Sequence, residues 1–117
     1  MSEEAWVGPA RSVLLELQAG QAPPRDEQRA AVKGALAALV QRAPGRSVEV
    51  RVPPFAAVQA VEGASHRRGT PPAVVEMDAG TWLALAVGDL DWVDAVSAGK
   101  VRASGARSDL SGLLPLI

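Results

Sequence analysis

The stretch that most constrains this chain is the unbroken apolar run Trp82-Leu83-Ala84-Leu85-Ala86-Val87. A membrane span needs about 20 such residues, so the run is far too short to cross one. Helix punctuation bounds it instead. Asp78 can accept hydrogen bonds from backbone N–H groups left free in an opening turn, and Gly88 suits the left-handed position that ends a helix. A helix apolar on every side has no solvent face and must be covered from two directions. The chain therefore needs a central helix, either wedged between neighbouring elements or with one side lining a cavity.

The same signals recur downstream. Asp91, with Asp94 three residues on, restarts a helix, and Gly99 ends it. Lys100 to Ser104 then alternates, with Val101 and Ala103 on one face and Lys100, Arg102 and Ser104 on the other. Upstream, Val13, Leu14 and Leu17 predict a short helix over Ala10 to Gln18, with Pro9 near its start. Ala19 to Pro24 breaks it, since glycine and paired prolines do not continue a helix cheaply. Arg25 to Arg42 reads as the longest helix. Val32, Leu36, Leu39 and Val40 form its apolar stripe, and Asp26 and Glu27 lie in the first turn, where the helix dipole favours them.

Ser47 to Val52 alternates as a strand, with Val48, Val50 and Val52 inward. Pro53-Pro54 stops that ladder because neither residue can donate to it. Phe55 to Val61 and Ala73 to Met77 are the next expected strands, separated by the irregular stretch Gly63 to Pro72. Near the end, Ser108 or Asp109 can cap a last short turn of helix carrying Leu110, Leu113 and Leu114. Strands adjacent in sequence favour antiparallel pairing. The expected architecture is thus an α+β two-layer fold with a small, mainly antiparallel curved sheet covered by helices. It is read as a single domain over residues 1–117, helical over 1–46 and sheet with covering helices over 47–117.

At 117 residues, the chain is long enough to bury roughly two-thirds of the surface its unfolded form exposes. A net charge of −1, from 12 basic and 13 acidic residues, gives no global reason to expect nucleic acid or an anionic membrane as partner. The absence of cysteine removes disulfides, thiolate metal sites and cysteine nucleophiles, and fits a reducing cytoplasm. No basic and apolar leader opens the sequence, so a soluble cytoplasmic protein without a transmembrane segment is expected.

Catalytic constellations are hard to assemble. With a single histidine, His66, a three-histidine metal site is out of reach, and Asp78, Asp91 and Asp94 are explained as caps. Neither glycine-rich phosphate-binding pattern occurs. No cofactor, metal or enzymatic activity is expected. The loop residues Arg67 and Arg68 could grip a carboxylate or phosphate, because guanidinium pairs bidentately with such oxygens.

The pattern D-x-x-x-W-L-A-L-A-V-G followed by W-x-x-A-V-x-x-G-K-V-x-x-S-G resembles the C-terminal half of a sterol carrier protein 2-like (SCP2-like) domain. The likeness covers Val48 to Leu114, and the compact bacterial SCP orthologues are the nearest set. It implies a curved sheet under helices and a cavity for a fatty acyl chain, acyl-CoA or sterol. By position, Trp82, Leu83, Leu85, Ala86, Trp92, Val93 and Val96 would form the wall, and Leu113 and Leu114 the lid. The strand region is short and the sequence ends at Leu116-Ile117, which implies a smaller or more open groove.

Two functions follow as expectations. The first is an intracellular, non-enzymatic binding protein that takes up a lipid or other apolar small molecule, with Arg67 or Arg68 at its polar head. The second is a packed protein–protein interaction module without a ligand, of which a homodimer through the Trp-bearing face would be one form. SCP2-like domains also serve as accessory parts of mycothiol-dependent enzymes, and residues 1–46 are too few for the metal-binding bundle such enzymes carry.

Overall fold

The hydrophobic spacing and end signals resolve into four helices and four strands among residues 4–63, 73–105 and 108–117, which the computed structural model describes. In chain order they are α1 (Val7–Gln18), α2 (Arg25–Arg42), β1 (Val48–Val52), β2 (Ala56–Ala60), β3 (Ala73–Glu76), α3 (Ala79–Val87), α4 (Trp92–Ser97) and β4 (Arg102–Ser104). The bounds of α2 coincide with its expected range. Helix α1 begins earlier than expected, with Pro9 inside its first turn, where a missing N–H costs nothing. Trp6 just ahead of it is buried and packs against Gly34 of α2, where an added Cβ would lie 3.3 Å from the Trp6 Cβ. Glycine is a poor helix former, but at Gly34 its missing side chain lets the Trp6 backbone and Cβ approach α2.

Helix α3 has the ends its sequence predicts. The Asp78 Oδ1 accepts from the Thr81 backbone N–H at 2.8 Å, and Gly88 closes the helix at φ 88°. Within α3 every residue except Gly80 is buried. Trp82 is 0% exposed, and its indole N–H points to the Val32 carbonyl of α2 at 3.4 Å. The central helix is thus covered by α1 and α2, and its buried side chains join one core with the inward valines of the sheet. Helix α4 starts at Asp91 without a side-chain cap bond.

The sheet order is β2-β1-β3-β4. The early hairpin β1–β2 is antiparallel, as expected, and so is β3–β4; the central pair β1–β3 is parallel, which makes the sheet mixed. Val48, Val50, Val52 and Val75 all point into the core at 0% exposure. Glu49, Arg51, Val74 and Glu76 occupy the opposite face, in register with Gln59 and Ala57 on β2 and with Ser104 and Arg102 on β4. One face is therefore packed and the other solvated. β2 and β4 are the edge strands, and all residues of β4 are exposed. Ala103 shares the inward register of Val75 but stays exposed, whereas Val101, just before the strand, is buried.

After β2 the chain returns across the start of β1. Val61 adopts φ 68°, rare for a β-branched residue. It is held there by its neighbours: its N–H donates to the Ala43 carbonyl at 2.7 Å, and its own carbonyl accepts from the Ser47 N–H at 3.0 Å and the Ser47 Oγ at 2.6 Å. Gly45, at φ 149°, lies so close that an added Cβ would stand 2.2 Å from the Val61 oxygen. The irregular stretch expected after β2 lies largely in residues 64–72, outside the described ones.

The short helix expected near the C-terminus is not formed. Residues 111–113 make a turn closed by the Leu113 N–H on the Leu110 carbonyl at 2.9 Å. The Asp109 carboxylate accepts from the Ser111 N–H at 2.9 Å, and Pro115 follows too soon for the turn to propagate. The Leu116 N–H then bonds to the Ala86 carbonyl at 2.9 Å, which ties the C-terminal segment to the end of α3.

Candidate functional site

A groove of about 650 Å³ opens where the parallel strands β1 and β3 end and α3 begins. Three features of local sequence build it. Pro53 ends β1 without a ladder donor, Met77 and Asp78 lead from β3 into the cap of α3, and Leu14 and Leu17, three apart on α1, present one apolar edge. Leu14, Met77, Thr81 and Ala84 form a buried floor; Leu17 and Leu90 are half-buried walls. Charged side chains gather at the rim: Glu76, Asp78, Lys100 and Arg102. One Asp78 oxygen is engaged in capping. Lys100 and Arg102 make no ion pair among the described residues.

This arrangement suits burial of an apolar group with a polar end held at the rim. Thr81 is the one hydroxyl-bearing residue that borders the groove. Among the described residues, no cluster of three or more His, Cys, Asp or Glu side chains could hold a metal ion.

The residues expected to wall a cavity are divided by the structure. Trp82, Leu83, Leu85 and Ala86 are at most 1% exposed and belong to the packed core, bordering neither this groove nor the next. Trp92, Val93 and Leu114 come together in a second, open groove of about 430 Å³ with Leu90, Asp91, Asp94, Ser111 and Pro115. Val93 is 66% exposed and Val96 44% exposed on the outer side of α4. Leu113 is half-buried against the core. Arg67 and Arg68 lie outside the described residues.

Several groove residues were not singled out from sequence: Leu14, Leu17, Met77, Leu90, Lys100 and Arg102. A signal existed for two of them. Lys100 is the lysine of the G-K pair, and Arg102 alternates with it on the strand run. The others are ordinary apolar positions whose convergence depends on how α1 crosses α3.

Four helices and an open, mixed four-stranded sheet give the α+β architecture that the resemblance implied. Residues 24–116 match the family described as bacterial SCP ortholog, and the chain belongs to that family. The resemblance read from the D-x-x-x-W-L-A-L-A-V-G and G-K-V patterns is thereby borne out. No curated protein matches the chain. No helix among the described residues is long and apolar enough to cross a membrane.

Proposed function

We propose that this protein binds an apolar small molecule of lipid type without transforming it, seating the chain in the groove between α1 and α3. The observation that carries this reading is the groove's composition: an apolar floor of Leu14, Met77 and Ala84 beside the rim cations Lys100 and Arg102. Burial supplies the affinity, at about 0.8 kcal/mol for each fully covered CH₂. Because the groove is open, each methylene contributes less than that. The two cations, which make no ion pair among the described residues, select an anionic head by charge-assisted hydrogen bonds.

The test is a titration with straight-chain acids, alcohols and amines of increasing length, followed by tryptophan emission and calorimetry. Saturable binding that tightens with chain length and favours the acid is expected. Lys100→Glu with Arg102→Glu should remove the preference for the acid, and Leu17→Trp should weaken all three series by filling the wall. Circular dichroism on each variant verifies the fold. If no long-chain acid, alcohol or amine binds saturably to the folded protein, the proposal fails.

A further inference from the structure

The second groove joins two properties that no internal contact explains. Its apolar side is Val93 at the outer surface of α4, continued by half-buried Leu90 and Leu114; exposed Val96, three residues on, lies outside the groove. Its rim is acidic: Asp91 and Asp94 border the groove, Asp89 lies beside it in sequence, and all three are exposed. Among the described residues no basic side chain lines the groove, and none of these carboxylates makes an ion pair. The inner side of α4, Trp92 and Ala95, is buried at 9% and 0%. The helix is thus anchored by one side while the other presents valines beside carboxylates without an ion-pair partner among the described residues.

We propose that this groove docks a basic amphipathic helix of another protein, with its apolar residues on Leu90, Val93 and Leu114 and its cations on Asp91 and Asp94. Charge decides among the occupants. An anionic lipid surface would be repelled by the three carboxylates that flank the valines. A second copy of this chain in a twofold contact would set the same carboxylates against one another. A helix carrying Lys or Arg beside leucines at i, i+3 or i+4 spacing satisfies both the apolar strip and the rim. The two grooves share Leu90, but Lys100 and Arg102 border only the α1–α3 groove, so the inference does not depend on the ligand proposed there.

The experiment is residue-resolved amide NMR of the whole chain, titrated with a synthetic amphipathic Leu/Lys helical peptide and with its Leu/Glu counterpart. The expected result is shifts confined to α4 and the turn at 111–114 with the basic peptide and none with the acidic one. Raising the salt should weaken binding, because the rim pairs are exposed. Asp91→Asn with Asp94→Asn should cost about fivefold in affinity, as expected for two surface ion pairs. Val93→Ser should cost about tenfold through the lost apolar contact. Asp26→Asn with Glu27→Gln, exposed acids on α2, should leave binding unchanged.

Shifts centred elsewhere, equal binding of the acidic peptide, or no response to the Asp91/Asp94 exchange would overturn the proposal. So would self-association in sedimentation that Val93→Glu abolishes, or binding to phosphatidylglycerol vesicles through α4.

Discussion

Replacing Gly45 by alanine should damage the fold more than the same change at Gly99, and the difference can be worked from geometry. At Gly45 the backbone sits at φ 149°, and a Cβ would lie 2.2 Å from the Val61 oxygen, 2.3 Å from its carbonyl carbon and 2.5 Å from the Glu62 nitrogen. All three are backbone atoms, and the Val61 carbonyl is pinned by two donors from Ser47. The neighbour therefore cannot swing aside as a side chain would. The backbone conformation costs a residue with a Cβ about 1–3 kcal/mol, and forcing the chain apart adds about 1–3 kcal/mol. At Gly99, φ is 73° and nothing lies within 4 Å of the added Cβ, so only the left-handed conformation is penalised, at about 1–2 kcal/mol. For a chain of this size each kcal/mol moves the melting temperature by about 4 °C. Thermal and urea unfolding followed by far-ultraviolet circular dichroism should place Gly45→Ala well below Gly99→Ala, with similar urea slopes. Equal melting temperatures for the two variants would refute the contact between Gly45 and Val61.

Two further expectations concern aspartates. Asp78→Ala removes a side-chain cap bond to α3 and should lower stability in urea by about 1 kcal/mol; Asp91→Ala, whose side chain makes no such bond, should stay within about 0.5 kcal/mol of wild type. The Ser111 backbone N–H, and secondarily its side chain, hold the Asp109 carboxyl below the ordinary carboxylate range. A group lowered in the folded state stabilises above its unfolded pKa, and that contribution is lost as pH falls through the folded value. Carboxyl NMR titration should show the lowered midpoint, and Asp109→Asn should remove this small part of the acid dependence.

How much of the site was legible follows from which interactions are local. The caps and stops of α3 could be read directly, because Asp78 meets Thr81 three residues away and Gly88 needs only its own backbone freedom. The inward valines of β1 follow from a period of two. The parallel pairing of β1 with β3 was not legible: it joins strands separated by β2 and the long connection after it, and no local signal distinguishes it from another antiparallel neighbour.

Sequence alone determined that the run from Trp82 to Val87 is a helix needing cover on every side, and that the chain is sterol-carrier-like. The first rests on local backbone preferences and the spacing of apolar residues, the second on the resemblance of the D-x-x-x-W-L-A-L-A-V-G and G-K-V patterns to a known family. Only the tertiary structure decided how that cover is supplied. Trp82, Leu83, Leu85 and Ala86 are consumed by the core that α3 forms with α1 and α2, so the accessible grooves fall to Leu14, Met77 and Lys100 on one side and to Val93 and Leu114 on the other. The physical reason is that an apolar side chain loses its water to whichever surface reaches it first. Which surface that is depends on how the helices cross, a property of residues far apart in sequence.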